Sequence, residues 1–182
     1  MAHVCPWWFA YTFDNRLRRF FHRPESVLAD HVEEGMTVMD IGCGMGFFSI
    51  AIAKMVGKQG RVVSVDMQQK MLNRLMKRAA RANVSDRIVP ILCKSDDISF
   101  QDKVDFALCF WMVHEVPNKM RFFNQVRECL KPSAKFLITE PKFHVSSRSF
   151  IKMLDAARSA RLVILERPVI RFSRTILLGL SY

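Results

Sequence analysis

Asp40, Gly42, Gly44 and Gly46 stand at every second position of one short stretch, and no other part of this chain is so dense in residues suited to chemistry. Glycines spaced this way expose backbone N–H groups and let a ligand approach the main chain closely. Two common phosphate binders are excluded: G-x-G-x-x-G would need its third glycine at Phe47, and no Gly-Lys-Ser or Gly-Lys-Thr completes a P-loop. Asp40 would repel a pyrophosphate and suits a ligand carrying a positive charge or an ammonium group. A second acid, Asp66, ends the run Arg61–Asp66. A carboxylate there accepts two hydrogen bonds at once, as the paired hydroxyls of an adenosine ribose require, and Met67 offers an apolar side chain to an adenine face. Farther on, Trp111, His114 and Glu115 follow the apolar run Val104–Phe110. His114 is the first candidate for a general base because an unperturbed imidazole titrates near neutrality. Glu115, Glu140, Tyr11 and His144 are lesser candidates. Plainer readings stand beside these: Asp66 as a helix N-cap, and His114 as a structural imidazole beside a cleft.

The elements that position these residues follow from periodicity. Val38–Ile41 has the continuous hydrophobicity of a strand covered on both faces, and the helix leaving the glycine turn carries Phe47, Phe48, Ile50, Ala51, Ile52 and Met55. Before it, Pro24–Val32 reads as a short helix stopped by Gly35. After it come the strand Arg61–Asp66 and a helix over Gln68–Ala82 with Met71, Leu72, Leu75 and Met76 on one face. The strand Ile88–Cys93 leads into Lys94-Ser95-Asp96-Asp97, and Val104–Phe110 is a fourth strand. A helix over Asn118–Leu130 and a fifth strand, Phe136–Glu140, follow. Ser147–Arg158 reads as a helix, then Leu162–Glu166 and Phe172–Leu180 as a hairpin on the sheet edge. The pattern predicts an α/β, Rossmann-like, doubly wound seven-stranded sheet, mostly parallel with a C-terminal antiparallel hairpin. Chemistry belongs at its switch point, where the strand carrying Phe110 ends.

With 182 residues the chain suits one domain, over 24–182, and a short aromatic and basic extension over 1–23. In that extension Trp7, Trp8 and Tyr11 are candidates for a lid that walls off a substrate, or for an arm packed on the sheet edge. The formal net charge of +11 admits nucleic acid as a partner, but no block of five like charges and no RNA-binding signature accompanies it, so a solvated basic surface is favoured. The five cysteines are scattered, without a C-x-x-C pair. Neither a disulfide framework nor a metal site is expected. The apolar run Phe106–Val113 is too short to span a bilayer and nothing at the start reads as a signal peptide, so the expected location is the cytoplasm.

Asp40-Ile41-Gly42-Cys43-Gly44-Met45-Gly46 resembles the first motif of the class I S-adenosylmethionine (SAM) methyltransferases, and Val65-Asp66-Met67 resembles their ribose-binding position. Phe110–Pro117 is similar to their histidine–histidine–leucine–proline neighbourhood, with Glu115 in place of the second histidine. Leu130-Lys131-Pro132 is similar to their Leu-Lys-Pro-Gly-Gly bend, with Ser133 and Ala134 where glycines are usual. The resemblance runs from about Pro24 to Tyr182 and looks nearest to the ubiquinone/menaquinone-biosynthesis methyltransferases. It implies SAM as cofactor, S-adenosylhomocysteine as product, and cofactor contacts from Asp40, Gly42, Cys43, Gly44, Asp66, Met67, Lys94, Ser95 and Phe110. Lys94 departs from the pattern, since an acid usually stands there to meet the adenine amino group. The implied reaction is in-line displacement of the methyl group from sulfur by a small, apolar or aromatic acceptor. Trp8, Tyr11, Trp111 and His144 would then face that acceptor, with His114 catalytic. Two other readings are a methyltransferase-like SAM- or RNA-binding module without turnover, and an RNA methyltransferase.

Overall fold

The structure, a computed structural model, describes residues 22–181. Trp7, Trp8, Tyr11 and the rest of the lid candidate through residue 21 lie outside the described residues. Seven strands form one sheet in the order β3-β2-β1-β4-β5-β7-β6. They are β1 (Thr37–Ile41), β2 (Arg61–Asp66), β3 (Ile88–Leu92), β4 (Val104–Phe110), β5 (Leu130–Pro141), β6 (Leu162–Glu166) and β7 (Ser173–Leu180). The first five pair in parallel, and β7 runs antiparallel to both β5 and β6. Five helices are described: α1 (Pro24–Leu28), α2 (Phe47–Met55), α3 (Gln69–Arg81), α4 (Lys119–Cys129) and α5 (Ser147–Ser159).

Alternation along each strand assigns the side chains to two cores. Val38, Val62, Phe106, Leu108 and Leu137 face α2 and α3 and pack with Ile52, Leu72 and Leu75. Met39, Ile41, Val63, Val65, Ala107 and Ile138 face α4 and α5 and pack with Phe123, Val126, Met153 and Leu154. Each wholly buried Leu, Ile or Phe contributes about 1.5–3 kcal/mol, so covering both faces outweighs the weak propensity of such short strands. Asp40 shares the α2 face with Val38, which aims a charged group into that layer.

Two boundaries differ from the sequence reading. Helix α1 stops at Leu28, four residues before Val32, because the Leu28 carbonyl accepts from both the His31 and Val32 N–H groups in a closing turn. That turn stacks the His31 ring on Phe106, 5.6 Å between centroids. Strand β5 begins at Leu130, not Phe136: Leu130 pairs with Val104, and the register jumps to Lys135 opposite Phe106. The intervening bulge is held by Lys131 Nζ on Asp105 at 2.7 Å, whose other oxygen accepts the Thr37 N–H. The terminal hairpin lies at the β5 edge of the parallel strands, as the sequence pattern predicts. Its second strand, β7, inserts between β5 and β6, with Thr139 opposite Thr175.

Candidate active site at the carboxyl ends of the strands

Strands β1 and β4 are neighbours whose following segments depart to opposite faces, so their carboxyl ends frame a crevice. The glycine turn lies on one side of it. Gly42 and Cys43 both donate their N–H to the Val65 carbonyl, at 2.8 and 3.1 Å, which clamps the turn to the end of β2. Gly42, Gly44 and Gly46 adopt φ of +73°, +53° and +82°, a region that disfavours any side chain. The glycines answer different needs. A Cβ on Gly42 would lie 2.7 Å from Met112 Cγ, and one on Gly46 would lie 2.0 Å from Leu75 Cδ1. A Cβ on Gly44 would meet no heavy atom within 4 Å. Gly42 and Gly46 are therefore closed in by protein, whereas Gly44 faces open space.

Asp66 ties this turn to the next helix. Its Oδ2 accepts the Gly44 N–H and its Oδ1 the Gln68 N–H, each at 2.9 Å. Burial pushes its carboxyl above the ordinary value, opposed by those backbone donors. The N-cap of α3 is Gln68, which makes no side-chain cap bond, so Asp66 braces the segment just ahead of the helix and does not cap it. Met67 is 41% exposed, beside the acid and available to a flat apolar ring. Lys94 and Ser95 stand exposed past β3, where the Lys94 N–H donates to the Asp97 carbonyl in a narrow turn. Cys93 links that turn to the site, donating its N–H to the Asp66 carbonyl at 3.0 Å.

Asp40 occupies a different place from the open mouth suggested by its position before the glycines. It is buried, and its Oδ2 accepts the Ser49 hydroxyl at 2.6 Å. Ser49 in turn accepts the Ser64 hydroxyl at 2.9 Å. Both serines are wholly buried, and the sequence reading passed over them. Ser64 had left a trace as the polar residue within Val-Val-Ser-Val of β2, and Ser49 lies one helical turn after Gly46. Cys43 is buried, and its thiol is pushed well up by burial and by the charges of Asp40 and Asp66.

The other wall comes from β4 and β5. Phe110 is buried and packs on Phe48, 4.4 Å between centroids. Trp111 follows at φ +62°, an uncommon conformation for a bulky residue, held by its N–H on the Thr139 carbonyl and its indole N–H on Ser173 Oγ, both at 2.9 Å. The 3-10 turn Val113–Glu115 then brings His114 to Glu140 at the end of β5. His114 Nδ1 lies 2.5 Å from Glu140 Oε2, and its backbone N–H donates to Oε1 at 3.3 Å. Glu140 is wholly buried, whereas the His114 side chain keeps 20% of its surface. Its Nε2 is 4.0 Å from Glu115 Oε1, and the His144 ring stands edge-on at 4.9 Å. His114, Glu115, Glu140 and His144, drawn from three places in the sequence, therefore form one cluster.

A nucleoside-bearing sulfonium fits the first wall: an open surface over Gly44, an acid able to take ribose hydroxyls, and an apolar flank at Met67. Fold and site together define the class of SAM-dependent methyltransferases, whose cofactor is S-adenosylmethionine. A family model described as "Methyltransferase domain" matches residues 32–163, and the chain belongs to that family. It is 27% identical over 172 residues to a demethylmenaquinone methyltransferase of Symbiobacterium thermophilum, covering 86% of this chain and 66% of that protein. Other demethylmenaquinone methyltransferases are matched over 50% of their length, so the chain spans about half to two thirds of these curated relatives. A SAM-dependent methyltransferase from Aquifex aeolicus superposes with a TM-score of 0.88 at 22% identity, covering 98% of this chain and 100% of that one. Aeropyrum pernix fibrillarin, solved with natively bound SAM, superposes at 0.64 with 15% identity over 80% of this chain and 67% of that one.

Proposed function

We propose that this chain binds SAM across Gly44, Asp66 and Met67 and transfers its methyl group to a small, apolar or aromatic acceptor, with His114 as general base. The observation that carries the reading is the placing of two groups after the carboxyl ends of the neighbouring strands β1 and β4. One is an open glycine turn beside a carboxylate, and the other is an imidazole backed by a buried carboxylate. The names of the matched relatives favour a quinone-type acceptor. Bound SAM supplies an activated methyl group on a sulfonium whose positive charge is lost on transfer.

The residues divide the remaining work. Asp66 would exchange backbone donors for ribose hydroxyls, and Met67 would cover the adenine, with Lys94 and Ser95 bordering it. Phe110, Phe48 and Trp111 keep the crevice apolar and dry, which favours a transition state that disperses charge. With Glu140 as carboxylate accepting at Oε2, the His114 proton sits on Nδ1, and Nε2 is left to take a proton from the acceptor. His144 and Trp111 would bound the acceptor. Asp40, sealed behind Ser49, holds the turn in shape.

Calorimetry with SAM and S-adenosylhomocysteine, followed by turnover assays on demethylated quinols, tests the reading. His114→Asn is expected to bind SAM as the parent does and to lose roughly 100-fold or more in turnover. Unchanged turnover would remove the base role, and no heat with either nucleoside would overturn the whole proposal. We propose a cytoplasmic location, which the scattered cysteines without a C-x-x-C pair favour. No helix among the described residues is long and apolar enough to cross a membrane.

A further inference from the structure

We propose that the rim formed by the loop after β5 and the loop before β7 docks on the surface of an anionic phospholipid bilayer. The Lys142 N–H donates to the Phe172 carbonyl at 2.9 Å, which holds the two loops side by side. From this rim project Val169, 99% exposed, Phe143, 68% exposed, and Phe172, 47% exposed. Large apolar side chains so exposed and so close together mark an interaction surface rather than ordinary scatter. Phe172 moreover sits at φ +60°, a conformation disfavoured for a bulky residue, with the Arg171 guanidinium 5.0 Å from its ring centre.

Charge selects the partner. Lys142, Arg167 and Arg171 are exposed on the same loops, against one exposed acid, Glu166. Apolar tips ringed by cations match the interface of an anionic membrane, where the tips enter the acyl boundary and the cations meet headgroup phosphates. A nucleic acid would use the cations and the aromatic rings, but an aliphatic tip such as Val169 would gain nothing from a phosphate backbone. The rim is continuous with the acceptor wall: the Phe143 ring stands edge-on to Trp111 at 5.5 Å, and His144 follows it toward His114. Docking here would open the crevice toward the lipid phase, which suits an apolar acceptor, and in that respect the inference rests on the methyl-transfer reading.

Co-sedimentation of the full chain with phosphatidylcholine vesicles, with and without about one third phosphatidylglycerol, tests it without requiring turnover. The chain should sediment with the anionic vesicles alone, and added salt should release it. Phe143→Ser with Val169→Ser should weaken vesicle binding roughly tenfold while SAM binding by calorimetry stays as in the parent. Arg167→Gln should weaken it less and flatten the salt dependence. The proposal is overturned if a chain that binds SAM fails to sediment with anionic vesicles. It is also overturned if the double variant sediments as the parent does, or if single-stranded RNA captures the parent in preference to the vesicles. Sedimentation by a chain that gives no heat with SAM would sink the methyl-transfer reading and leave the docking surface standing.

Discussion

Gly44 and Gly46, two residues apart and both at positive φ, separate a requirement of the site from a requirement of the fold. Alanine at Gly44 meets only backbone strain, about 1–2 kcal/mol, because no atom lies within reach of the added methyl. Gly44→Ala should therefore fold, with a modestly lower Tm, and lose SAM affinity by more than tenfold in calorimetry. Gly46→Ala would drive its methyl into Leu75, adding about 1–3 kcal/mol of overpacking to the strain and showing mainly as a fall in Tm. Asp66 adds a pH signature. Its carboxyl is raised from 3.8 by burial, so the folded chain binds that proton more tightly than the unfolded one. Ionisation of Asp66 thus costs stability at neutral pH, and the cost is relieved as pH falls through the folded value toward 3.8. In denaturant titrations the parent should gain on Asp66→Asn over that window, while SAM affinity of the parent declines as the carboxylate is protonated.

Among elements, the Ser64–Ser49–Asp40 chain joins β2, α2 and β1 through three buried side chains. Ser49→Ala removes a donor from a buried carboxylate, a loss of about 2 kcal/mol that should lower Tm by ~4–8 °C for a domain of this size. Its effect on SAM binding should be smaller than that of Asp66→Ala, because Ser49 shapes the turn from behind. The glycine turn and both acids were legible in the sequence because adjacent residues carry them. The serine chain was not, since Ser49 and Ser64 meet only after α2 folds back across the sheet. The same holds for His114 and Glu140, 26 positions apart and joined by the parallel pairing of β4 with β5. Glu140→Gln should keep the imidazole near its place but orient it less firmly, lowering kcat while KM for SAM stays put.

For the molecule as a whole, seven strands in the order β3-β2-β1-β4-β5-β7-β6 place the carboxyl ends of β1 to β5 along one edge, where the candidate site residues among the described ones gather. The two cores also shield the thiols. Burial pushes Cys43 and Cys109 well up and holds Cys93 and Cys129 at about 11, so the native chain carries little thiolate at these positions near pH 8. Alkylation followed by mass spectrometry should leave these four largely unmodified in the folded chain and label them on unfolding. The alternation of apolar strands and amphipathic helices determined the fold class, and the spacing of Asp40, the glycines and Asp66 singled out the candidate cofactor turn, because local periodicity and contiguous motifs express short-range physics. Tertiary structure alone decided that β7 and not β6 pairs with β5, that Asp40 faces a helix and not the opening, and that Glu140 stands behind His114. Each of these depends on long-range strand pairing, whose free energy arises from surfaces that meet only once the chain has closed.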